Sequence, residues 1–172
     1  MKFTNGQWLM RDGVTAAYPT SARRVTADEQ RLEVLAPTFP VRHRGDLLKG
    51  PVLTVELSSP LPDVIAVQVT HFAGGHAAGP DFAVRVEDTP DVAVEITDEE
   101  ATLTSGALTA RVSRGEDWAL EFLAEGHLLT RSATKALALV TDDGQTHLRE
   151  QPTEEIIAEL VTQAESALGQ RG

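Results

Sequence analysis

Between residues 105 and 132, apolar and polar side chains alternate with the period of two that is typical of a half-buried β-strand. Two turn signals, at residues 114–116 and at Glu125-Gly126, divide this stretch into three runs. The apolar positions of the first two runs are Leu108, Ala110, Val112, Trp118, Leu120 and Phe122. The pattern predicts an antiparallel meander whose aromatic face packs on a second layer, so Trp118 and Phe122 are expected in a core.

Similar strand signals recur through the rest of the first 150 residues, with no convincing helix between them. Turn residues such as Gly50-Pro51 and Asp143-Gly144 separate them. The additional runs, rich in valine, leucine and isoleucine, lie at residues 25–35, 52–57, 64–69, 92–96 and 136–140. About a dozen short strands separated by turns predict an all-β fold, an antiparallel β-sandwich.

Near the end of the sequence the periodicity becomes helical. Thr153 is a suitable N-cap, and the two glutamates after it place negative charge at the positive end of a helix dipole. Apolar residues then recur on one helical face up to Leu168. We therefore predict a β-sandwich over residues 1–151 and an amphipathic α-helix over 152–172. Its apolar stripe would pack on the sandwich of the same chain or on a partner copy, because so short a helix is marginal alone.

Composition narrows the class of protein and its location. Of the 172 residues, 41% are hydrophobic and 24% are charged, as in soluble globular proteins. Cysteine is absent, which excludes disulfides and thiolate chemistry. The first residues lack the apolar core of a secretory signal, and no apolar run is long enough to span a membrane. These features predict a cytoplasmic protein with no membrane partner.

The formal net charge of −11 argues against nucleic acid or another anionic polymer as partner. Affinity for such polymers comes mainly from lysine and arginine, and the basic residues here are dispersed. The densest cluster is Arg42-His43-Arg44, which we interpret as a solvated strand edge or loop. A neutral sugar or a protein neighbour is compatible with the charge.

Four segments in order along the chain carry a family resemblance. They are Asn5–Val14 with Tyr18-Pro19, Val69–Gly74, Gly79–Phe82 and the meander from 105 to 132. These segments resemble the amino-terminal β-domain of glycoside hydrolase family 31, close to the bacterial α-xylosidase branch. The resemblance implies a β-sandwich of the galactose-mutarotase type, and α-linked xylosides or glucosides as the sugars of the full enzyme.

The same resemblance implies that the chemistry lies elsewhere. Family members hydrolyse α-glycosidic bonds with two carboxylates, and both lie on a barrel domain that follows the sandwich. Nothing after Gln151 matches the continuation of the family. The acidic clusters of this chain fall at predicted turns or a helix start, namely Asp98-Glu99-Glu100, Glu116-Asp117, Asp142-Asp143 and Glu154-Glu155. No catalytic residue is therefore assigned, and we expect an accessory domain that is not an enzyme on its own.

A glycine-rich segment after the strand at 64–69 contains three residues of metal-ligating type. They are His71, His76 and Asp81. Histidine and aspartate can bind zinc or another transition metal, but this spacing fits no metal motif. We interpret the segment as a loop at the rim of the sandwich, or as a contact surface for the barrel or a neighbouring subunit. No metal and no other cofactor is predicted.

Sugar binding without catalysis is the main alternative. Tyr18, before Pro19, and Phe72 and Phe82, which flank the glycine loop, are the candidates for an exposed aromatic platform. With His71, His76 and Asp81 they form the candidate set for carbohydrate binding or domain contact. Two functions stay open beside the accessory role. One is a stand-alone carbohydrate-binding module; the other is an interaction module that docks through the C-terminal helix, including onto a second copy.

Overall fold

The structure is a computed structural model that describes residues 10–71, 90–115, 117–133 and 135–150. Over these residues the chain forms twelve β-strands and a short 3-10 helix, Arg44–Leu48. The first six strands are β1 (Val14–Ala17), β2 (Arg24–Ala27), β3 (Arg31–Pro37), β4 (Val52–Leu61), β5 (Val64–Thr70) and β6 (Val92–Ile96). The remaining six are β7 (Glu100–Ser105), β8 (Leu108–Ser113), β9 (Leu120–Ala124), β10 (His127–Ser132), β11 (Leu137–Asp142) and β12 (Gln145–Glu150).

The strands form three antiparallel sheets. One has five strands in the order β10-β9-β8-β7-β6, and a second has four in the order β2-β3-β4-β5. The third has three strands in the order β1-β11-β12. Most neighbours in the sheets are also neighbours in sequence, joined by hairpins, so the prediction of an antiparallel β-sandwich is confirmed.

The main core lies between the four-stranded and five-stranded sheets. Every second residue of the central strands points into it, as the period of two requires. The fully buried side chains are Leu32, Val34 and Ala36 of β3, Leu53, Val55 and Leu57 of β4, Ala101 and Leu103 of β7, and Ala110 and Val112 of β8. These small and branched side chains interdigitate between the two layers and exclude water from them.

The predicted meander is confirmed in β8, β9 and β10. Ala110 pairs with Phe122 and Val112 with Leu120, which places the predicted apolar face on the core side. Trp118 is 1% exposed and Phe122 is partly buried against the same core. The Glu125-Gly126 turn has positive φ at both residues, 50° and 81°, as a two-residue type I′ hairpin needs.

Strand β11 is buried on both faces. Leu137 and Leu139 join the main core, whereas Ala138 and Val140 form a second small cluster with Val14. This explains why the sequence is apolar at four successive positions there instead of alternating. The strand predicted at 136–140 is confirmed, and it extends to Asp142 before the type I′ turn at Asp143-Gly144, where φ is 48° and 81°.

Two hairpin tips connect the main sheets at one end of the sandwich. Ala107 N donates to Asp63 Oδ1 at 2.6 Å, and Ser59 Oγ donates to Ser105 Oγ at 2.8 Å. The β4–β5 hairpin thereby contacts the β7–β8 hairpin. Gly106 has a φ of +57°, and a Cβ at this position would overlap Asp63 Oδ1. The end of the sandwich therefore requires glycine at 106.

Some predictions concern residues or properties that the described part of the structure does not test. The C-terminal helix predicted at 152–172 lies outside them, so the domain boundary at residue 151 stays a prediction. Among the helices of the described part, none is long and apolar enough to cross a membrane. The cytoplasmic location stays a prediction.

Candidate functional site

Three connections between strands meet beside a groove of about 930 Å³. They are residues 18–23 between β1 and β2, residues 40–42 after β3, and residues 114, 115 and 117 between β8 and β9. Each connection belongs to a different sheet or spans two of them. The groove thus depends on the assembled sandwich and not on one local segment.

The first connection is fixed to the end of β3. Thr20 N donates to the carbonyl of Pro37 at 2.9 Å. The hydroxyl of Thr20 lies 3.1 Å from the carbonyls of Pro37 and Phe39, and can donate to either. Arg23 N donates to the carbonyl of Leu35 at 2.9 Å. These bonds hold the backbone below the groove and leave the side chain of Arg23 exposed.

Asp46 organises the second connection. Its carboxylate is 2% exposed and accepts hydrogen bonds from the backbone N–H groups of Arg42, at 2.8 Å, and His43, at 3.1 Å. Lys49 Nζ is ion-paired with Asp46 Oδ1. The Lys49 ammonium and these two N–H groups hold the pKa of Asp46 well below its ordinary value. The loop is therefore closed around a charged carboxylate, and it carries Arg42 at the groove.

The third connection contributes Arg114 and Asp117. Arg114 N donates to the carbonyl of Glu99 at 2.8 Å, and its guanidinium Nη1 donates to the carbonyl of Thr97. Asp117 is exposed, and among the described residues that line the groove it supplies the one acidic side chain. Because Arg23, Arg42 and Arg114 all line it, the groove carries a local excess of positive charge.

The predicted site residues do not converge on this groove. Tyr18 lines it, but it is half-buried and packs against the small cluster of Val14, Ala138 and Val140. His71 is exposed just after β5, with Nδ1 3.4 Å from the carbonyl of Val52, and does not line the groove. The other four candidates, Phe72, His76, Asp81 and Phe82, lie outside the described residues.

The arginines of the groove were not among the predicted site residues. Their positions, 23, 42 and 114, are far apart in sequence, and only the packing of the sheets brings them together. The one available signal was the cluster Arg42-His43-Arg44, which is exposed: Arg42 and His43 lie in a loop as predicted, and Arg44 begins the 3-10 helix. Within the described ranges, no group of three histidine, aspartate or glutamate side chains could hold a metal ion.

Several described carboxylates are held in ion pairs or turns. Glu121 Oε2 accepts from Arg111 Nε at 2.8 Å, and its Oε1 lies 3.4 Å from Arg131 Nε. Asp142 accepts from Arg11 at 3.0 Å. Asp98 and Glu99 lie in the turn between β6 and β7, as predicted, whereas Glu100 is the first residue of β7. These contacts give the acidic residues structural roles on the sandwich surface.

Comparison with curated proteins gives two similar α-xylosidases. The α-xylosidase XylQ of Lactiplantibacillus pentosus is 35% identical over 153 residues, which are 88% of this chain and 20% of XylQ. An α-xylosidase of Emericella nidulans is 35% identical over 111 residues, which are 63% of this chain and 14% of that protein. The chain spans about a fifth or less of the length of these relatives. No family model matches it.

Solved structures show the same fold inside larger proteins. The uncharacterized protein lmo2446 of Listeria monocytogenes has a TM-score of 0.52 and 17% identity over 77% of this chain and 11% of its own. The cycloalternan-forming enzyme of the same organism has a TM-score of 0.53 and 17% identity over 78% of this chain and 11% of its own. At this identity the likeness supports the fold alone.

Proposed function

We propose that this chain, whose resemblance to the amino-terminal β-sandwich of family 31 α-xylosidases is confirmed, acts as a noncatalytic accessory domain of such a glycoside hydrolase. The observation that carries this proposal is the extent of the match to XylQ. It covers 88% of this chain but only 20% of the relative. A segment of that size and fold fits a supporting domain beside a much larger catalytic part.

Two described carboxyl groups have structural roles in loops. The pKa values of Asp28 and Asp46 are both lowered. The backbone N–H of Gln30 is the largest cause for Asp28, and the Lys49 ammonium for Asp46. Both groups are suited to holding loops as anions.

In the whole enzyme, the sandwich would support the catalytic domain and help to shape the rim of its active site. The sugars handled there would be α-linked xylosides, as the names of the relatives suggest. The family resemblance adds α-linked glucosides. The stand-alone carbohydrate-binding module and the module that docks through its helix stay predictions. The first depends on Phe72 and Phe82 and the second on the C-terminal helix, and all of these lie outside the described residues.

The noncatalytic role is tested with the purified chain and an aryl α-xyloside. We expect no release of the phenol above the rate without protein, while XylQ in the same assay releases it. Release that co-purifies with the chain through successive columns and scales with its concentration would contradict the proposal. A folded state, shown by dispersed amide signals in an NMR spectrum, is the condition for interpreting either result.

A further inference from the structure

We propose that the groove bounded by residues 18–23, 40–42, 114, 115 and 117 binds an acidic sugar, a monosaccharide that carries a carboxylate or a phosphate. This inference goes beyond the accessory role and is independent of it. A site for a small anion could exist on a domain that supports an enzyme or on one that acts alone.

The groove has a local charge opposite to that of the whole chain. The chain has 15 lysine and arginine residues against 26 acidic ones, yet the charged residues among the described lining of its groove are three arginines and one aspartate. Electrostatic interactions at the surface are screened beyond about 8–10 Å at physiological salt. A small anion inside the groove therefore responds to Arg23, Arg42 and Arg114. An extended polyanion would meet the acidic surface as well.

Two of these guanidinium groups are available to a ligand. Elsewhere in the described chain four arginines are ion-paired with carboxylates, namely Arg11, Arg31, Arg111 and Arg131. Arg23 and Arg42 are exposed, and within the described residues neither has an ion pair. The planar guanidinium donates two parallel hydrogen bonds to a carboxylate or phosphate, which makes arginine the preferred partner of both.

The backbone under each arginine is fixed before any ligand arrives. The N–H of Arg42 is held by Asp46, that of Arg23 by the carbonyl of Leu35, and that of Arg114 by the carbonyl of Glu99. Less conformational freedom is then lost on binding, which improves affinity.

The groove also has the size and lining of a sugar site. Its volume of about 930 Å³ lies within the range of small-molecule pockets, roughly 300–1,000 Å³. Tyr18 and Ser21 line it beside the arginines. A tyrosine ring and a hydroxyl can contact the sugar ring while the guanidinium groups bind its acidic substituent. This combination favours an acidic sugar over a bare inorganic anion.

The test is an amide NMR titration of the isotope-labelled full chain with D-glucuronate, glucose 6-phosphate, inorganic phosphate and neutral D-xylose. We expect saturable shifts at residues 18–23, 40–42 and 115 with glucuronate or glucose 6-phosphate, whichever acid group the groove prefers. Inorganic phosphate and xylose should bind at least several-fold more weakly, because each provides only part of the contacts.

Matched variants locate the site. Arg42→Gln and Arg23→Gln should each weaken binding about tenfold, the effect of losing roughly 1.4 kcal/mol of charge-assisted hydrogen bonding. Arg44→Gln and Arg24→Gln remove exposed arginines one or two residues away that do not line the groove, and should change affinity less than twofold. Dispersed spectra will show that all four variants fold.

Three results would overturn the inference. They are no saturable shift with either acidic sugar, equal losses in the Arg42 and Arg44 variants, and inorganic phosphate or xylose binding as tightly as the acidic sugars. None of them bears on hydrolysis of an aryl xyloside, so this site and the accessory role can fail separately.

Discussion

At the scale of single residues, Gly106 and Asp63 explain how the two main sheets are held together at one end. Asp63 accepts the N–H of Ala107, and this contact is possible only because residue 106 has no side chain. The positive φ of 57° at Gly106 adds a second reason, since a left-handed conformation strains other residues. Glycine at this position therefore couples a turn to the packing of two layers.

Replacing Gly106 with alanine should lower the free energy of unfolding by about 2–4 kcal/mol, from backbone strain and overlap with Asp63 combined. Gly126→Ala is the matched control, because Gly126 has a φ of 81° but no atom within 4 Å of the added methyl group. It should lose only about 1 kcal/mol. Urea unfolding measures both variants. Equal losses would show that the Asp63 contact contributes nothing.

The carboxylate of Asp46 should make the stability of the fold depend on pH. Its pKa is lowered in the folded state, so the carboxylate stabilises the fold above its unfolded pKa, about 3.9. That contribution is lost as the pH falls from about 5 toward the folded pKa. In the Asp46→Asn variant, the free energy of unfolding should therefore change less over this acid range than in the unmodified chain.

Urea midpoints measured from neutral pH down to about pH 3 provide the test. Asp91→Asn, which removes an exposed carboxyl outside this loop, is the control and should keep most of the acid sensitivity. Parallel pH profiles for Asp46→Asn and the unmodified chain would contradict the role given to Asp46.

At the scale of elements, the strands differ in how well their sequences predict them. The meander was predictable because apolar and other residues alternate clearly in β9 and just before it, with Trp118, Leu120 and Phe122 at the apolar positions. Strand β7 was not singled out, since only Ala101 and Leu103 mark its buried face between polar residues. Burial of those two side chains depends on contact with β3 and β4, which no local pattern shows.

Leu103 tests that contact between the sheets. It is fully buried, so Leu103→Ala should lower the free energy of unfolding by about 2–5 kcal/mol through lost burial and a residual cavity. Leu129 of β10 is the control on the same sheet. Its side chain is 41% exposed, and Leu129→Ala should cost less than about 1.5 kcal/mol. Similar losses measured by urea unfolding would contradict the assignment of β7 to the central interface.

At the scale of the whole molecule, a fold and a family could be predicted from sequence, but the groove could not. The order of the family segments can be read directly from the sequence. Arg23, Arg42 and Arg114, in contrast, line one groove only when three sheets assemble. Of the residues singled out for a site, Tyr18 lines the groove and His71 does not.

We propose that this chain is equivalent to a supporting segment of an α-xylosidase, and a chimera of XylQ tests this proposal. In the chimera, the 153 aligned residues of XylQ are replaced by those of this chain, and the α-xylosidase activity is measured. We expect the chimera to fold and to cleave an aryl α-xyloside, while XylQ with the segment deleted does not. A deletion variant as active as intact XylQ, or a folded chimera without activity, would contradict it.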